Sequence, residues 1–183
     1  MSSETLAVKG EGHWNKLSVT SESHAKEKSE KSFVIRMTYL FLVLDVTCLF
    51  MQLGIIPYLV KKMGLSLVWF GYLQTTFGIL QLIGGPVFGR FGDLFGARTA
   101  LTISSMSAAV CFFLLGISSN VTLLFLSRTP SIFMHGLPGA QMVVTHLSSP
   151  AERADALGKL GLCFGIGMIV GPSLGGVLSS RFG

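Results

Sequence analysis

The chain has 183 residues, half of them hydrophobic and only 13% charged, with a formal net charge of +5. A water-soluble domain carries about 25% charged residues, so this composition, with a mean hydropathy of +0.63, excludes an ordinary enzyme or binding module free in water. The charges are bunched, and the gaps between them approach or exceed the roughly 20 apolar residues that a membrane-crossing helix needs.

Residues 1–32 come first and differ in kind. They are rich in Ser, Glu and Lys and lack apolar periodicity, which predicts a disordered cytosolic tail. No apolar run precedes a small-residue cleavage site, which argues against a cleaved signal peptide. The first span is therefore expected to act as an uncleaved targeting signal.

Five spans are predicted next, at about 33–60, 67–88, 99–117, 121–146 and 156–179. The uncharged stretch between Arg98 and Arg128 must hold one helix and the start of another, divided at Ser118-Ser119-Asn120. The connections are short and leave no room for a soluble domain. The fold class is thus an all-α membrane protein.

Orientation follows from Lys and Arg near the span ends. Lys9, Lys16, Lys26, Lys28, Lys31 and Arg36 precede span one, Arg90 and Arg98 lie between spans two and three, and Arg153 and Lys159 are assigned to the connection between spans four and five. The other side offers Lys61, Lys62 and Arg181. The bias predicts a cytosolic N-terminus in a plasma or internal membrane. The positive charge is then a topology signal, with no case for nucleic-acid binding. Asn120-Val121-Thr122 matches a glycosylation sequon, but so close to the membrane surface that modification is not expected.

Cys48, Cys111 and Cys163 all fall inside spans and are expected to pack as small apolar residues. No metal spacing, nucleophile elbow or phosphate loop is present, since Gly84–Gly89 lacks the Lys-Ser/Thr ending of a P-loop. Neither a cofactor nor an enzymatic activity is implied.

Two glycine motifs carry more information. Between spans two and three, Gly89, Asp93, Gly96 and Arg98 form the skeleton GxxxDxxGxR. Its glycines suit a tight reversal, Asp93 suits a helix N-terminus, and Arg98 is expected to pair with a carboxylate. In span five, Gly167, Gly171, Pro172, Gly175 and Gly176 form GxxxGPxxGG, a pattern for close helix approach with a bend. Gly161 and Gly165 form another small face on roughly the opposite side. Two close neighbours are therefore expected for this helix.

Together these segments resemble the major facilitator superfamily. The GxxxDxxGxR loop is similar to its signature between helices two and three, departing at Leu94 and Ala97, where basic residues are common. The GxxxGPxxGG helix is similar to the fifth-helix motif of its drug/proton antiporters, and Leu126-Ser127-Arg128 matches the place of their membrane-embedded arginine. Phe70–Gly78, Gly84–Phe91 and Leu157–Gly165 resemble, more narrowly, an organic cation transporter-like solute carrier of family 22. The resemblance implies alternating access between two six-helix halves, each built of three-helix repeats. It also implies proton-coupled antiport of small organic cations.

Ionisable residues inside a membrane are costly and usually face a cavity or a partner. Asp45 lies about 12 residues into span one, roughly 18 Å deep at 1.5 Å per residue, near the midplane. It is the expected proton and cation site, with Arg128 of span four as its counter-charge; a static ion pair is the plainer alternative. Gln52 shares a helix face with Asp45, and His135 with Arg128. In span two Gln74 and Gln81 share a face with Gly78 and Gly85, polar enough to line a pathway or to hydrogen-bond between helices. The sequence ends soon after span five, so it corresponds to an incomplete N-terminal half. Two functions are open: the N-terminal portion of such an antiporter, completed by a C-terminal half, or a truncated, non-transporting membrane protein that associates with a full-length partner.

Overall fold

The computed structural model describes the backbone of residues 4–182 and the side chains of residues 23–181. Its elements are α1 (Glu4–Lys62), α2 (Val68–Phe95), α3 (Ala97–Gly116), α4 (Val121–Leu126), a 3-10 turn (Thr129–Phe133), α5 (Gly136–Leu147) and α6 (Arg153–Phe182). No strand occurs among the described residues. The chain divides into two compact units, residues 1–37 and residues 38–183.

The first unit covers the segment expected to be a disordered tail. Residues 1–3 lie outside the described residues, as do the side chains of Lys9 and Lys16, but from Glu4 onward the backbone is helical. Residues 23–32 are exposed. Lys31 and Glu27 pair at 2.7 Å, an i,i+4 contact that gives an exposed helix slight support. Such charged, unbranched side chains do not oppose a helix once one is propagating.

The other unit is a helical bundle. Three helices among the described residues are long and apolar enough to cross a membrane: Ser23–Lys62, Ala97–Gly116 and Arg153–Arg181. The predicted second span corresponds to α2, which is long enough at 28 residues but diluted by Gln74, Gln81, Thr75 and Thr76. It also runs beyond its predicted end at 88, taking in most of the Gly89–Arg98 motif. Only Gly96 leaves the helix, at φ +88°, a conformation that glycine adopts without a Cβ penalty. The motif is therefore a helix end with a one-residue reversal. Arg98 has no carboxylate partner, because the salt bridges among the described residues are Lys31–Glu27 and Lys159–Asp155.

The predicted fourth span is broken. It becomes α4 of 6 residues, the 3-10 turn and α5 of 12 residues. Pro130 has no N–H to donate and opposes a continuous α-helix. Ser127 Oγ donates to Leu124 O at 2.7 Å, and Ser131 Oγ donates to Arg128 O at 2.6 Å, so side chains take up carbonyls at the break. Non-helical backbone at membrane depth needs such partners.

Close packing rests on small residues. Ala100, Ser104, Ala108 and Cys111 form the buried face of α3, which meets α5 and the 3-10 turn. The α6 glycines lie against α1 of the same chain: a Cβ on Gly167 would sit 2.7 Å from Val46 Cγ1, and one on Gly171 2.7 Å from both Phe50 Cβ and Thr47 O. Gly175 meets the Met51 carbonyl, and Gly54 of α1 returns the contact to Gly176 N at 3.1 Å. The surface that the GxxxGPxxGG motif needs is thus supplied within this unit. Gly161 and Gly165, by contrast, have nothing within 4 Å of a built Cβ.

Candidate functional site

Arg128 sits at the break in the fourth span and is 2% exposed. Its Nη1 donates to Gln52 Oε1 of α1 at 2.6 Å. Its Nε and Nη2 are buried without a partner, as is Gln52 Nε2. A guanidinium only donates, so the Gln52 atom facing it must be the carbonyl oxygen, and the amide nitrogen is the one left over. Both residues border a cavity of about 180 Å³, with Gln74 completing its polar side and Leu49, Leu53 and Phe77 among its apolar walls.

Asp45 lies on α1, seven residues before Gln52. It makes no ion pair with Arg128, and its carboxylate is half-buried against Gly136, the first residue of α5. A Cβ on Gly136 would run into Asp45 Oδ2. The expected counter-charge contact is therefore replaced by an arginine–amide bond, because the break ties Arg128 to the Gln52 level of α1.

The break also separates Arg128 from His135, which an unbroken helix would put on one face. His135 is 8% exposed. Its Nε2 lies 3.3 Å from Gln81 O, its ring stacks on Phe88 with centroids 5.1 Å apart, and its Nδ1 is buried without a partner. Gln81 Nε2 donates to Met134 O at 2.8 Å and to Ser131 O at 3.3 Å. Gln81 thus holds carbonyls freed by the broken span, while Gln74 faces the cavity. Of the polar face predicted on α2, one glutamine clamps and one lines.

Several contributors escape a reading of the sequence alone. Gly136 makes room for Asp45. Gly84 lies against the Ile132 carbonyl, letting α2 approach the 3-10 turn. The crowding of His135, Gly136, Pro138 and Gly139 in the middle of an apolar stretch is the signal of irregular backbone that could have found them. At the other end of the bundle, Gly92, Asp93, Gly96, Ala97, Gln141 and His146 border an open crevice, which brings the Gly89–Arg98 motif beside the end of α5.

Apolar helices, a span broken around a buried arginine, and a carboxylate held inside the bundle define a multi-pass α-helical membrane protein with a polar centre. The Major Facilitator Superfamily model matches residues 38–183, and the chain belongs to that family of transporters. It is 56% identical over 158 residues to human "Solute carrier family 67 member A1", covering 84% of this chain and 37% of that protein. Mouse "Solute carrier family 22 member 18" is 56% identical over 155 residues, 82% of this chain and 38% of the relative. "Multidrug resistance protein 1" of Bacillus subtilis (strain 168) is 30% identical over 161 residues, 84% and 39% of the two chains. The matched region thus spans less than two-fifths of each relative. No solved structure matches.

Proposed function

We propose that the chain provides the N-terminal part of a proton-coupled antiporter of small organic cations that works by alternating access. The observation that carries this reading is Asp45: a carboxylate inside the bundle, half-buried against Gly136 and without an ion pair among the described residues. Such a group is suited to hold either a proton or a cation, and exchange between the two is antiport. The relative named for multidrug resistance supports the same direction. Gln74 contributes to the polar wall of the pathway, Gln81 and His135 keep the broken span in place beside it, and the Gly167–Gly176 face carries the motion of α6 against α1.

The test is uptake of labelled tetraethylammonium by proteoliposomes that contain the full-length polypeptide under an imposed pH gradient. Asp45→Asn should abolish the gradient-driven component while leaving the protein inserted and monodisperse. Unchanged gradient-driven uptake in that variant would remove Asp45 from the coupling.

A further inference from the structure

The Arg128 cavity has a polarity that a cation site does not need. Its buried polar atoms without partners, Arg128 Nε, Arg128 Nη2 and Gln52 Nε2, are all donors. Gln52 Oε1 accepts from Arg128 Nη1 at 2.6 Å, so the Gln74 amide is the other neutral acceptor beside three unpartnered donors and a fixed positive charge. No carboxylate of the described residues lies within ion-pair distance of the guanidinium. Buried charges are costly unless paired and hydrogen-bonded, and a guanidinium fork matches a carboxylate in geometry as well as charge. The other side of the same space is apolar, with Leu53 and Phe77 in its wall.

We infer that the cavity between α1, α2 and the broken span binds the carboxylate of a small solute with an apolar or aromatic body, and that Arg128 and Gln52 receive it. The volume of about 180 Å³ admits a single-ring acid. Asp45 lies seven residues away on α1, about 10 Å along the axis at 1.5 Å per residue. Within the antiporter reading, on which this part rests, the transported cation then carries an acid as well: its amine is held at the Asp45 level and its carboxylate at the Arg128 level. Carboxylate binding itself does not depend on proton coupling.

Benzoate is the probe, with benzylamine as its cationic counterpart of similar shape. In detergent-purified protein, labelled benzoate should bind saturably and benzylamine should not displace it. Arg128→Gln should weaken benzoate binding about tenfold or more, the loss expected for a charged hydrogen bond. Leu53→Trp, which fills the cavity from a half-buried position and keeps the arginine, should do the same and decides the matter if Arg128→Gln does not fold. Benzoate carries no amine for Asp45 to hold, so its binding and the pH-driven uptake are read independently, and failure of proton coupling and failure of this site are separately visible. The inference is overturned if the wild-type protein shows no saturable benzoate binding, if benzylamine competes equally, or if a folded Arg128→Gln or Leu53→Trp protein binds benzoate as the wild type does.

Discussion

At the residue scale, Arg128 is both the most demanding group in the bundle and the least satisfied. Its single side-chain hydrogen bond among the described residues goes to Gln52. Hydrogen bonds to charged groups contribute about 1.5–3 kcal/mol, and a buried charge stripped of its partner is worse placed than no charge at all. Gln52→Leu should therefore lower stability by about 1.5–3 kcal/mol. Adding Arg128→Met to that variant should recover most of the loss, because the charge that needed the amide is gone. Thermal unfolding of the purified single and double variants checks this. A double variant as unstable as Gln52→Leu alone would mean that Gln52 matters for its packing, not for the guanidinium.

At the element scale, the sequence displays the helices and their order because apolar runs between charges are a length signal. It also displays Asp45, Arg128 and the α6 glycines, because each is conspicuous in an apolar setting. It does not display the break in the fourth span. Pro130 and Gly136 are visible, yet a proline within a membrane helix is compatible with a kink as well as with a 3-10 turn. Which of the two forms depends on Gln81 reaching Met134 O and Ser131 O from α2, a contact between residues about 50 apart in sequence. The same long-range dependence decides what the α6 glycines face. Gly171 gives a sharp contrast with Gly165. A Cβ at Gly171 would lie 2.7 Å from Phe50 Cβ and Thr47 O, whereas one at Gly165 meets nothing within 4 Å. Gly171→Leu should insert normally but unfold more easily, by about 1–3 kcal/mol for forced overpacking. Gly165→Leu should stay within about 0.5 kcal/mol of wild type, as open surface positions do. Equal melting temperatures for the two variants would show that α6 does not seat on α1 through this face.

At the scale of the whole molecule, the distribution of basic residues makes a claim that family membership alone does not supply, namely which ends of the helices face the cytosol. Arg90, Arg98, Arg153 and Lys159 all belong to one end of the bundle, together with the crevice bordered by Gly96 and His146. Lys61 and Lys62 close α1 at the other end. A native glycan is a poor reporter of this arrangement, because Asn120 Oδ1 accepts from Leu123 N at 2.9 Å and so caps α4. Cysteine labelling is better suited, with Cys48, Cys111 and Cys163 first changed to alanine. Ser66 and Ala151 are exposed residues outside the helices at opposite ends. If basic residues set the topology, Ser66→Cys reacts with a membrane-impermeant maleimide on intact cells of a plasma-membrane-targeted form, and Ala151→Cys reacts only after permeabilisation. The reverse pattern would turn the molecule over and place the Gly89–Arg98 end outside. The proton gradient of the proposed antiport would then act on Asp45 from the opposite side, and this measurement tells the two orientations apart.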